Sequence, residues 1–182
     1  MAIEYGRRRI VETAGELFRR HGYDGIGVAD IMQQAGLTHG GFYGHFASKD
    51  ELAAEATTQA LWSKAGIWDA IGTDPGAPGL AGFLEAYLSP AHRDDPGHGC
   101  ALAALGSDAP REALPVREAV TRAVRSRLEK LALLMPGRSA AAKRRKALAT
   151  MAGIVGALVL ARAVADPALS DEILRDAKEA FR

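Results

Sequence analysis

The run ALATMAGIVGALVLA, residues 147–161, is apolar on every side of a helix and is interrupted only by Thr150. A helix without a polar face must be covered all round. A membrane would cover it, but a span needs about 20 apolar residues, and Arg162 cuts this run short. Lys143-Arg144-Arg145-Lys146, just ahead of it, reads as a solvated first turn rather than a juxtamembrane anchor. The covering must therefore come from protein. A chain of 182 residues is one ordinary domain or two small ones, with few helices to spare, so part of the cover is expected from a second copy. Ala152 with Gly156, and Gly153 with Ala157, are small-residue pairs that let two helices approach closely.

The rest of the chain carries apolar stripes at helical spacing and no strand alternation, so the fold class is all-α. Ile10, Ala14, Leu17 and Phe18 mark a first helix over residues 3–21, stopped by Gly22. Residues 48–71 read as one long helix, and GTDPGAPG at 72–79 as the clearest break. Helices follow at 80–88 and 100–105, separated by a polar loop, SPAHRDDPGHG. Val116, Val120, Val124, Leu128 and Leu131 mark another from Pro115 to the Pro136-Gly137 stop, with Arg117, Arg122, Arg125 and Lys130 outside the stripe. The apolar helix runs over 140–165, closed by Asp166-Pro167. Ser170 is expected to cap a last helix carrying Ile173, Leu174, Ala177 and Phe181.

Residues 28–52, VADIMQQAGLTHGGFYGHFASKDEL, have a different character. Val28, Ile31, Met32 and Ala35 share a helical face; Gly36 supplies a turn that needs positive φ. Thr38 is placed to cap a short following helix. Phe42, Phe46 and Leu52 resume the apolar face, which leaves His39, Gly40, Gly41, Tyr43, Gly44 and His45 pointing elsewhere. Three glycines oppose a helix here by roughly 1 kcal/mol each; the four-residue spacing of the two phenylalanines favours one, and glycine suits a backbone pressed close to another surface. Ser48 and Glu51 form a capping box for the next helix. Helix, glycine turn and short helix make a helix-turn-helix, whose second helix enters the DNA major groove.

The run GYDGIGVADIMQQAGLTHGGFYGHFASKDEL resembles the DNA-binding segment of the tetracycline-repressor (TetR) family of bacterial regulators. Spacing, glycine turn, Phe-Tyr-x-His-Phe and Ser-Lys-Asp all coincide over about the first quarter of the chain; beyond it the likeness is architectural. The resemblance implies a three-helix DNA-binding domain, 1–47, joined by a long helix to an effector-binding and dimerisation domain, 48–182. It implies a dimeric repressor on a palindromic duplex operator, released by a small effector. Thr38, Tyr43 and Lys49 would contact phosphate, His39, Gly40, Gly41 and Gly44 would face base edges, and His45 would touch a flanking phosphate or a neighbouring helix. Arg7, Arg8 and Arg9 lie within reach of phosphate. Gly27 stands where relatives often carry a hydroxyl.

The net charge of +1 means that any DNA-binding charge is arranged rather than plentiful. Apolar and aromatic residues beyond the needs of a slim bundle suggest an effector pocket from Trp62, Trp68, Phe83, Tyr87, Cys100, Leu102, Leu105, Val124, Met151 and Ile154, suited to a mostly apolar ligand. Trp62 and Trp68 would lie on the helix that begins at Lys49, making it the moving part. The dimer contact is expected at Gly153, Gly156, Leu160, Ile173, Leu174 and Phe181. His92, His98 and Cys100 lack a fourth ligand at a recognisable spacing, so no metal or other cofactor is expected. Cys100 reads as a small buried hydrophobe. No catalytic motif stands out, no signal peptide precedes the first helix, and one cysteine fits a reducing cytoplasm. Two other readings stay open: an architectural DNA-binding protein with a dry, filled core, and a helical enzyme with a polar cleft and a perturbed acid or histidine.

Overall fold

The computed structural model describes residues 2–62, 67–71 and 79–182. Among them are nine α-helices, three short 3₁₀ segments and no strand. The helices are α1 (Ala2–His21), α2 (Val28–Gln34), α3 (Lys49–Trp62), α4 (Gly79–Tyr87), α5 (Pro90–Asp94), α6 (Ala101–Leu105), α7 (Leu114–Leu134), α8 (Ala140–Ala163) and α9 (Pro167–Ala180). The all-α fold follows from the stripes. Gly22 and Gly36 take φ of 75° and 69° where α1 and α2 stop, a conformation that glycine alone adopts without strain.

Two apolar cores organise these helices. The first gathers Ile10, Leu17 and Phe18 of α1, Ile31 and Met32 of α2, Phe42 and Phe46, and Leu52, Ala53 and Ala56 of α3. It also takes Leu105 from α6 and Val116 from α7. The second gathers Leu61, Trp68, Phe83, Tyr87, Leu102, Leu128, Leu131, Met151, Ile154 and Leu158. Three helices thus belong to both: α3 from Leu52 to Leu61, α6 from Leu102 to Leu105, and α7 from Val116 to Leu131. Helix α8 packs against α7, α9, α6 and α5. By length and composition it could cross a membrane, yet one side of it is built into the second core through Ala147, Met151, Ile154 and Leu158.

Several expectations need correction. The helix from Lys49 is described as far as Trp62, residues 63–66 of the expected long helix lie outside the described residues, and Trp68 lies on a 3₁₀ segment, Ile67–Ala70, so the two tryptophans do not share one regular α-helix. The break expected at 72–79 lies outside the described residues except for Gly79. The polar loop contains α5, started by Ser89, whose hydroxyl accepts the His92 N–H at 3.2 Å; Pro90 at the first helical position is tolerated there. Helix α9 begins at Pro167, not Ser170. Asp166 is its cap, accepting from the N–H groups of Ala168 and Leu169. Ser170 is buried and donates to the Ala161 carbonyl at 2.6 Å, tying α9 to α8. On α7 the buried face includes Ala119, Ala123 and Arg127, while Val120 and Val124 are half-buried.

Candidate nucleic-acid interface

The segment after the Gly36 turn, His39–Gly44, is a 3₁₀ helix rather than an α-helix. Thr38 is extended (φ −78°, ψ 145°), and its carbonyl accepts the Gly41 N–H at 3.0 Å. Its hydroxyl makes no capping bond, so the start of the segment is set by backbone alone and the side chain stays exposed. The glycines explain the tight winding: without side chains the segment gains nothing from α-packing except at Phe42. Phe42 and Phe46 are buried and stacked, with ring centroids 5.7 Å apart, and anchor one face. Tyr43 points the other way, 72% exposed, with its ring edge-on to Phe42 at 5.3 Å. His39, Gly40 and Gly44 are exposed and Gly41 half-buried. A Cβ at Gly40 or Gly44 would meet no described atom within 4 Å, so the glycines are not required by the fold.

Arg7 holds this segment in place. Its guanidinium donates to the carboxylates of Glu51 and Glu55 on α3 and to the His45 carbonyl, and lies 4.1 Å over the Phe46 ring. Those bonds raise its pKa, Glu55 most. Arg7 is therefore a clamp, not the phosphate contact its place in the sequence suggested. Arg9 lies against Gly36, and Arg8 is exposed beside Glu12 at 3.9 Å. The capping box forms with one shift. Ser48 Oγ accepts the Glu51 N–H at 3.1 Å, but the Glu51 carboxylate accepts from Ala47, at 2.7 Å, rather than from Ser48. The Ala47 bond and then Arg7 hold Glu51 below the usual carboxylate range. His45 turns inward onto Gly6 of α1, the neighbouring-helix alternative, and its Nδ1 is buried without a hydrogen-bond partner among the described residues. Lys49 opens α3, half-buried, near an acidic group. Glu112 there is pushed up by burial and by Asp24, Asp50 and Asp108, with Lys49 opposing.

The pattern describing bacterial regulatory proteins of the tetR family matches residues 10–56, the span that holds this segment and its supporting helices. The chain is 30% identical over 123 residues to the HTH-type transcriptional regulator LmrA of Bacillus subtilis, covering 64% of this chain and 65% of LmrA. It is 39% identical over 46 residues to the A-factor receptor protein of Streptomyces griseus, covering 25% of this chain and 17% of the receptor. The chain thus spans under two thirds of either relative. A solved transcriptional regulator of the TetR family from Agrobacterium tumefaciens has the same fold over 98% of both chains, with a TM-score of 0.75 and 25% identity. Residues 10–56 thus match the tetR-family pattern, and the chain as a whole has the fold of a solved TetR-family regulator.

The residues expected around an effector divide. Trp68, Phe83, Tyr87 and Cys100 come together. The Trp68 ring lies 5.1 Å from Phe83 and 5.4 Å from Tyr87, and its N–H donates to Cys100 Sγ at 3.2 Å. Met151 and Ile154 share their core, with Leu102 and half-buried Val124. Trp62 does not join them, being 47% exposed at the end of α3, and Leu105 belongs to the other core. Sequence reasoning missed Arg127 here and did not foresee the bonding of His92 or the burial of the Tyr87 hydroxyl. Arg127 is buried, donates to the Leu61 carbonyl at 3.0 Å and lies 5.2 Å from the Trp68 ring centre. His92 Nε2 accepts the Cys100 N–H at 2.9 Å, so Nδ1 carries the proton and donates to the Tyr87 carbonyl at 2.7 Å. The Tyr87 hydroxyl is buried beside the Cys100 thiol without an oxygen or nitrogen partner among the described residues; burial, then that thiol, holds its pKa well above the tyrosine range. A groove of about 850 Å³ between α1 and α3, lined by Tyr5, Arg8, Val11, Thr58 and Gln59 among others, lies outside the expected set.

At the expected dimer contact, Gly153 is occupied within the protomer, since the Phe181 ring fills the place of its Cβ. Leu174 is buried and Ile173 half-buried in the same α8–α9 seam. Gly156 has no described atom within 4 Å of a Cβ, and Leu148, Val159 and Leu160 are exposed along α8.

Proposed function

We propose that the protein is a dimeric, operator-binding transcriptional repressor of the cytoplasm, released from DNA by a small, mostly apolar effector, and not an enzyme. One observation carries the DNA-binding reading: a short segment anchored by Phe42 and Phe46 and clamped by Arg7 presents Tyr43, His39 and bare glycine backbone outward. Thr38, Tyr43 and Lys49 set the register through phosphate, and His39 is the side chain that reaches a base edge. With no Arg, Asn or Gln on the face, the remaining preference comes from close backbone approach and duplex shape.

The twofold contact is assigned to the open side of α8, at Leu148, Gly156, Val159 and Leu160, continued by Ile173. Gly153, Leu174 and Phe181 support it from inside the protomer. The effector site is assigned to the aromatic group Trp68, Phe83 and Tyr87, with the buried Tyr87 hydroxyl as the polar anchor. Helix α6 is the short route from there, because Leu102 packs in that core and Leu105 in the core of the DNA-reading helices. A ligand that favours one position of α6 shifts the DNA-bound population by changing the separation of two recognition segments, about 34–36 Å when they fit successive major grooves. Selecting bound duplexes from random DNA tests the reading. A palindromic preference that relaxes at one position per half-site in His39→Ala is the expected result; recovery of no preferred duplex would contradict it.

A further inference from the structure

The turn between α7 and α8 carries Arg138, Lys143, Arg144, Arg145 and Lys146, five cations in nine residues. All but Lys143 are exposed, and the stem of Lys143 lies on Gly137. None of the five makes an ion pair with a described residue. Several cations elsewhere are engaged by carboxylates: Arg7 by Glu51 and Glu55, Arg20 by Glu16 and Asp95, Arg93 by Asp94 and Asp171, Arg111 by Asp108; no other run of the chain gathers so many cations in nine residues. Four of the five occupy the first two turns of α8, with Lys143 closing the first turn, where the helix dipole already places positive charge. Such an arrangement opposes the fold locally and is relieved by an anionic partner.

The position of the turn narrows that partner. Helix α7 starts with Val116 in the core of the DNA-reading helices and ends with Leu131 in the other core. Its 21 residues span about 30 Å, so the turn is remote from His39–Gly44. We propose that this turn is a second, sequence-independent contact for the phosphate backbone of duplex DNA, holding a second segment while the recognition segments hold the first. The proposal rests on the operator-binding reading for the presence of DNA. A polyphosphate fits better than a lipid surface because the connecting residues, Pro136 to Ser139, offer no large apolar side chain for insertion. Leu133 and Leu148 are exposed on the flanking turns, so lipid forms the second arm of the test.

The experiment uses the full chain carrying Tyr43→Ala and Lys49→Ala, so that the recognition segment contributes least. Binding to a short mixed-sequence duplex is followed by fluorescence anisotropy between about 50 and 200 mM salt, with and without Arg144→Ala, Arg145→Ala and Lys146→Ala. The added changes are expected to weaken binding at least tenfold at the lower salt and to flatten the log–log salt slope by about 3, near 0.9 for each phosphate left unneutralised. Arg144→Lys with Arg145→Lys should keep both. Equal affinity and slope with and without the alanines overturns the proposal. So does alanine-sensitive binding to phosphatidylserine vesicles without such binding to the duplex. Failure of the operator reading shows separately, as a palindrome-selected duplex that binds the parent and the Tyr43→Ala, Lys49→Ala protein alike.

Discussion

His92 joins three pieces of chain through one imidazole. Its Nδ1–H satisfies the Tyr87 carbonyl at the end of α4, and its Nε2 accepts the N–H of Cys100 just before α6. Burial is the largest influence on it and lowers its pKa below 6.5. The neutral form is therefore the native form, and the unfolded chain takes up the proton first as pH falls. Stability from this group is present above about pH 6.5 and is lost as pH drops from there toward the lowered folded value, then levels off. Urea unfolding at pH 7.5, 6.5 and 5.5 should show the parent losing more stability on acidification than His92→Gln; parallel losses would contradict this. At this scale the sequence was legible where a side chain's role depends on its own helix. Phe42, Phe46 and the outward Tyr43 follow from spacing alone. Arg7, His92 and Arg127 do not, because their partners lie 44, 8 and 66 positions away and only the fold brings them together.

At the scale of elements, the glycines of the recognition segment give a test with opposite signs. None of Gly40, Gly41 and Gly44 has positive φ, and the sites of a Cβ at Gly40 and Gly44 are open. Gly40→Ala and Gly44→Ala should each stabilise the free protein by about 0.4–1 kcal/mol, read by thermal unfolding, while weakening binding to a selected duplex. Stabilisation without loss of binding would remove the close-approach role of the glycines. Helix α8 offers a second contrast. Gly153→Leu must displace the Phe181 ring and should cost about 1–3 kcal/mol, the range for overpacking; Gly156→Leu meets no described atom and should leave the protomer folded while sedimentation shows weaker dimer. Equal dimerisation in Gly156→Leu and the parent would move the interface elsewhere. Most helices were legible from their apolar stripes. Helix α5 was not, since Pro, Asp and Gly on either side of it resemble a loop, and only the Ser89 cap marks its start. The recognition segment was legible as a turn and an anchored face but not as 3₁₀, because its winding follows from what the glycines leave unpacked.

For the whole molecule, the charge arrangement and the two cores belong to one account. The recognition end has its arginines mostly engaged by carboxylates, so in the proposed reading its affinity for DNA would depend on a few well-placed groups, Tyr43 and Lys49 foremost, and on the rigid seat that Arg7 and the first core provide. Helices α3, α6 and α7 carry that seat into the second core, which is how a ligand there would act on DNA. The long-helix route drawn from sequence alone placed Trp62 and Trp68 on one lever. The structure separates them, and it makes α6 a second link that residues 100–105 could not reveal, because a short apolar run does not say which core each end enters. The central claim is that residues 39–44, with Lys49, read DNA. The direct measurement is a salt-dependent titration of the best selected duplex with the parent and with Tyr43→Ala, Lys49→Ala. The account predicts weaker binding of the variant to every duplex and a salt slope lower by about 0.9 for each phosphate no longer neutralised, with unchanged thermal stability; equal affinity and slope would contradict it.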